Sequence, residues 1–190
     1  MNRKAVIVLI SIIFGMQGLF AQEEVTWHLA LLKEDEGLPF ENNKPVNMNN
    51  EEKFRIELYA EKDCYAYIVV EQASGSLLKL KSQYIRAGEI LTTRELCFKE
   101  PFHGQEKFYV VVSCEEQRYL QRAIDAHEKD PSFRNTIMLQ TALSEVRDPK
   151  GDKPGKPSAF GGSIRGETDT IQATEYSGSS AYKKTIIISH

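Results

Sequence analysis

Hydrophobic and polar residues alternate with period two over much of the first 115 positions. Val25, Trp27, Leu29 and Leu31 alternate with Thr26, His28 and Ala30, and Phe54, Ile56, Leu58 and Ala60 alternate with Arg55, Glu57 and Tyr59. Alternation of this kind sends successive side chains to opposite faces of a strand. Cys64 to Glu71 and Leu77 to Leu80 predict a hairpin joined through "EQASGS", in which Gly75 supplies the positive φ of the turn. Glu89 to Thr93 and Leu96 to Phe98 predict short strands, and Phe108 to Cys114 a longer one. The segment 34–50 is rich in turn formers and holds two prolines, which predicts a surface loop.

Beyond Cys114 the period changes. Tyr119, Leu120, Ala123 and Ile124 fall at helical spacing. Asp130 before Pro131 predicts an N-cap and first turn for a second helix, with Leu139, Ala142, Leu143 and Val146 as its apolar stripe. Residues 148–166 hold three prolines and five glycines, a density that predicts a loop. The β-branched run Ile186-Ile187-Ile188 would make a poor solvated tail, so it predicts a returning strand that pairs with the domain. The expected organisation is a leader at 1–21, a β-rich domain with two helices at 22–147, a Gly/Pro-rich loop at 148–175, and a closing strand of the same domain at 176–190. Strands, two helices and a returning strand make an α+β fold: a mostly antiparallel sheet or β-sandwich partly covered by the helices.

The leader changes the compartment. Asn2-Arg3-Lys4, the apolar stretch Ala5 to Phe14 and the small residue Ala21 form the three-part pattern of a secretory signal peptide. Its uncharged run is interrupted by Ser11 and Gln17 and falls short of the roughly 20 apolar residues of a membrane span. No cysteine follows the cut, so lipid attachment there is excluded. The expected product is an exported chain, periplasmic or secreted, beginning at Gln22 and without a transmembrane segment. The whole chain has 24 basic and 27 acidic residues; losing Arg3 and Lys4 with the leader leaves a net charge of −5. That mild acidity argues against nucleic acid as a partner, since binding it calls for clustered Lys and Arg.

Strand phase then sorts the chemistry-bearing residues. Cys64, Ala66, Ile68 and Val70 share one face of their strand, and Phe108, Val110, Val112 and Cys114 share one face of theirs. Both faces are apolar, so both are expected to point inward. Any disulfide is therefore expected between Cys64 and Cys114, leaving Cys97 out of phase. Tyr65, Tyr67 and Tyr109 lie on the opposite faces, and Tyr59 on the polar face of its own strand. They form either a glycan- or peptide-binding face or a surface onto which the helices pack.

The stretch "KFRIELYAEKDCYAYIVVEQASGSLLKLKSQYIRAGEI", followed by "FKEPFHGQEKFYVVVSCEE", resembles the bacterial domain-of-unknown-function family 4384. The likeness lies in the Tyr-Ala-Tyr-Ile run, the glycine turn, the leucine pair, the Ala-Gly-Glu step and the Pro-x-x-Gly-x-Glu lead-in to a valine strand. It spans about residues 53–115, with a weaker echo at 182–188. The resemblance implies a β-rich exported module and carries over no catalytic residue.

Specific chemistries find little support. Gly161 to Thr168 imitates a phosphate-binding loop, but Glu167 stands where the lysine belongs and no strand-to-helix context is expected. Cys97, His103 and Glu106 are the best candidates for a small secreted thiol or metal hydrolase, yet they lack an orienting partner, an oxyanion site and a third metal ligand. The expectation is a non-enzymatic interaction or structural module of the bacterial cell envelope, with no cofactor or metal, acting on an envelope protein or glycan.

Overall fold

A computed structural model describes residues 25–41, 44–98, 103–147, 155–164, 167–178 and 180–190. The leader at 1–21 and its cut before Gln22 lie outside these residues. The chain forms strands β1 (Val25–Lys33), β2 (Glu36–Leu38), β3 (Val46–Asn47), β4 (Phe54–Ala60), β5 (Cys64–Glu71), β6 (Leu77–Ile85), β7 (Ile90–Thr92) and β8 (Gln105–Ser113). Helices α1 (Arg118–Lys129) and α2 (Phe133–Glu145) follow, then strands β9 (Lys156–Ile164), β10 (Glu167–Gly178) and β11 (Ala181–Ser189). One sheet runs β7-β4-β1-β10-β9 with β2 attached to β1; the other runs β3-β11-β8-β5-β6. All pairings are antiparallel except β3 with β11. This is the expected α+β sandwich with two helices.

Strand phase builds the main core between the sheets. Trp27, Leu29 and Leu31 of β1 and Ile56, Leu58 and Ala60 of β4 meet Cys64, Ala66 and Ile68 of β5, Val110 and Val112 of β8 and Ile186 and Ile188 of β11. The closing strand docks as its β-branched run requires, with Ile186 and Ile188 buried and β11 paired along the whole of β8. Lys184 shares that inward phase and is 3% exposed, its ammonium 4.9 Å from the centre of the Tyr176 ring. Attraction to the ring face offsets part of the cost of burying the charge.

A second core lies on the other face of the helix-bearing sheet. Leu120, Ala123 and Ile124 of α1 and Leu139, Ala142 and Leu143 of α2 pack on Tyr67, Val69, Leu77 and Val111. The helices end their apolar stripes there, at the i, i+3, i+4 spacing that one helix face allows. Tyr119, grouped with the stripe of α1 by its spacing, is instead half exposed.

Four local expectations are corrected. The first is the loop expected at 148–175: residues 156–164 and 167–178 are β9 and β10, and the rest of that stretch lies largely outside the described residues. An edge strand tolerates Pro157 and glycines because half of its backbone groups need no partner, and β9 is such an edge. The second concerns 176–190, where Tyr176 to Gly178 belong to β10 and the closing strand begins at Ala181. Thirdly, the N-cap of α2 is Ser132, not Asp130. Asp130 ends α1 instead, its N–H on Ala126 O at 3.0 Å and its carbonyl accepting from Asn135 Nδ2 at 2.8 Å. Finally, the segment 34–50 carries β2 and β3. Its first turn holds Glu34 and Asp35 at φ of 49° and 72°, the doubly left-handed geometry of a two-residue hairpin. Gly75 supplies its positive φ of 84° in the β5–β6 turn as expected.

Candidate functional site

The four tyrosines do not make one face. Tyr65, Tyr67 and Tyr109 lie on the helix-bearing sheet, whereas Tyr59 lies on the other sheet beside His28, ring centres 5.5 Å apart. Phase tells which side of a strand a residue occupies but not which sheet the strand joins, so Tyr59 does not share the face of the other three. Tyr67 is 1% exposed beneath the helices. Its hydroxyl accepts the backbone N–H of Gln117 at 3.0 Å, at the start of α1, and burial raises its pKa. Gln117 Nε2 in turn donates to Ser113 Oγ at 2.8 Å, and Ser113 Oγ donates to the Ser180 carbonyl at 3.0 Å. Tyr67 is thus a cap for the helix that covers it. Tyr65 is half-buried with its ring against Tyr84.

Tyr109 sits where this face stays partly open beside α2. Together with Glu71, Gln140, Leu143, Ser144 and Lys183 it lines a cavity of about 260 Å³ between the sheet and α2. The phenol donates to Glu71 Oε2 at 2.5 Å, and burial followed by that hydrogen bond raises its pKa. Glu71 also stands 3.7 Å from Lys107. Across the cavity Lys183 Nζ donates to the Leu143 carbonyl at 2.6 Å, near the C-terminus of α2. Desolvation, helped by Arg147, lowers the Lys183 pKa. The cavity therefore offers a carboxylate, a phenol and an ammonium at close quarters. Its volume lies below the roughly 300–1,000 Å³ usual for small-molecule pockets.

The hydrolase candidates share no direct bond among the described residues. Cys97 is exposed, and among the described residues no hydrogen bond or ion pair joins it to His103 or Glu106. Glu106 is buried and faces His190, Oε1 to Nε2 at 3.5 Å. The His190 ring stacks on Phe98 with centres 3.9 Å apart and its Nδ1 lies 3.0 Å from Asn50 Oδ1. Among the described residues no three His, Cys, Asp or Glu side chains gather where a metal ion could sit. The phosphate-loop look-alike falls on the β9–β10 hairpin, with residues 165–166 outside the described ones.

Sequence reasoning missed one polar chain. His28 is buried, with Nδ1 3.0 Å from Ser158 Oγ and Nε2 3.3 Å from Glu61 Oε1. With the proton on Nε2 the imidazole donates to Glu61 and accepts from the Ser158 hydroxyl. On the intervening strand β10, His28 pairs with Glu175 and Ser158 with Ala173. The His28 contacts tie the edge strand β9 to β1 and to the end of β4. Ser158 also borders a cavity of about 360 Å³ with Leu38, Pro39 and Phe40. Residues 28 and 158 are 130 positions apart, so no local pattern announces the pair.

The two cysteines of the inward phase are brought together. Cys64 is fully buried in the main core, and Cys114, partly exposed just past the end of β8, packs against that core. Burial first, then the neighbouring Cys114, pushes the Cys64 thiol up to about 12. Compared with known proteins, the chain matches no protein family, no curated protein and no solved structure.

Proposed function

We propose that the protein is an exported, non-enzymatic interaction or structural module of the bacterial cell envelope. The observation that carries this reading is the cover over the tyrosine-bearing face: α1 and α2 pack over Tyr67 and Val111 and bury them, while Tyr65 and Tyr109 are half-buried. A face covered by its own helices supports a scaffold over a sugar-binding sheet. The leader pattern supports export, and no helix among the described residues is long and apolar enough to cross a membrane. The partner is an envelope protein or glycan.

The test is to express the full chain in a bacterial host, fractionate the cells and sequence the N-terminus of the recovered protein. Export predicts a chain beginning at Gln22 in the periplasm or medium; an intact Met1 in the cytoplasm or membrane refutes it. Crosslinking the exported protein in envelope extracts then identifies its partner, and recovery of the chain alone counts against an interaction role. A second reading, a small polar-ligand binder, is favoured by the Glu71–Tyr109–Lys183 cavity. It predicts that Lys183→Met weakens glycan or peptide binding without altering the fold.

A further inference from the structure

The antiparallel ladder between β5 and β8 ends at Tyr65 opposite Ser113. Carried one step beyond the ladder, the same register sets Cys64 opposite Cys114, the first residue past β8. The Cys114 backbone N–H points away from β5, donating to the Ser180 carbonyl at 3.0 Å. Within a strand a residue's N–H and C=O leave on the same side, and extending that pattern past Ser113 makes Cys64 and Cys114 a position whose backbones exchange no hydrogen bond. Such positions bring Cα atoms to about 4.5 Å, with side chains closer than at hydrogen-bonded positions. That separation lies inside the range of about 4.4–6.8 Å that a disulfide spans. Both side chains pack into the same core, and they differ in access: Cys64 is buried, Cys114 partly exposed.

We infer that Cys64 and Cys114 form a thiol–disulfide exchange site that takes small disulfides of the glutathione type, with Cys114 as the entry thiol and Cys64 as the resolving thiol. The Cys114 thiolate attacks one sulfur of the reagent, forming a mixed disulfide and releasing the other half as a thiolate. Cys64 then attacks the Cys114 sulfur, its proton passing to the second half, which leaves as a thiol. The protein loses two protons and two electrons; the reagent's disulfide is reduced to two thiols. The order follows from access and from thiolate supply, since exchange runs through the thiolate and burial suppresses it at Cys64. The closed bridge would join β5 to the segment where Ser113 and Gln117 anchor the start of α1, so it locks the helical cover to the sheet. The inference goes beyond the interaction reading and requires no assumption about compartment.

The experiment uses the full chain with Cys97→Ser, which removes the exposed thiol outside the pair. The folded protein is treated with oxidised glutathione, quenched with acid, digested without reductant and mapped by mass spectrometry. Cys114 should be modified at least about 10 times faster than Cys64, and the final product should be a peptide pair linked through Cys64 and Cys114. In a Cys64→Ala background the reaction should stop at the Cys114 mixed disulfide. If that variant does not fold, the time course of the Cys97→Ser protein still decides. A Cys114 mixed disulfide that never resolves while Cys64 is present overturns the inference. So does first attack at Cys64, or the absence of any Cys114 modification.

Discussion

Replacing Tyr67 with phenylalanine isolates the hydrogen bond that starts α1. The ring stays buried among Val69, Leu120 and Ala123, and only the acceptor for the Gln117 N–H at 3.0 Å is lost. The remaining partner of that turn, the Gln117 side chain on Ser113, holds the side chain and leaves the backbone N–H unmet. A single buried hydrogen bond contributes about 0.5–1.5 kcal/mol, and loss of a helix cap costs about 0.5–2 kcal/mol. The expected destabilisation is therefore about 1 kcal/mol, which for a chain of this size lowers Tm by about 2–4 °C. Tyr67→Ala removes the ring as well and should cost about 3–5 kcal/mol, as other aromatic truncations in cores do. Urea melts give both values, and hydrogen exchange gives the location. In Tyr67→Phe the amides of Arg118 to Gln121 should exchange faster while those of β8 keep their protection. Equal stability of wild type and Tyr67→Phe, with unchanged exchange at the start of α1, would refute the capping role. It would also weaken the view that the helices are fastened over the tyrosine face.

Two further outcomes follow from the core and from the surface charges. Ile186→Ala, in the fully paired closing strand, should cost about 2–5 kcal/mol in urea melts, and deletion of residues 181–190 should prevent folding; an unchanged melt of either would show that β11 adds nothing. Hydrogen bonds from Lys33 first, then from Asn49, hold the Glu52 carboxyl down to about 2 from its ordinary 4.5. A depressed folded-state pKa means the carboxylate's contribution is complete above pH 4.5 and fades as pH falls towards 2. Glu52→Gln should therefore flatten the acid side of the stability profile between those limits, an effect reduced by salt because the pair is at the surface. An identical profile for the variant would count against the pairing.

The period-two alternation in β1, β4, β5 and β8 decided by itself which side chains face inward, because successive residues of a strand point to opposite sides whatever the strand pairs with. Cys64, Ala66, Ile68 and Val70, opposed to Tyr65, Tyr67 and Val69, were legible for that reason, as were the apolar stripes of both helices. The β-branched run at 186–188 likewise announced a docked strand. Local pattern carried less where glycine and proline dominate: β9 reads as loop because its stability comes from pairing with β10 rather than from its own propensities. Strand order and register were decided only by the tertiary structure, since they depend on contacts between distant segments. Those contacts put Tyr59 on a different sheet from Tyr67, brought His28 to Ser158 across 130 positions, and set Glu106 against His190. They also carried the thiol pair from a shared phase to opposite positions. Phase is a property of each strand alone, whereas the alignment of Cys64 with Cys114 follows from extending the β5–β8 ladder one step past Tyr65 and Ser113.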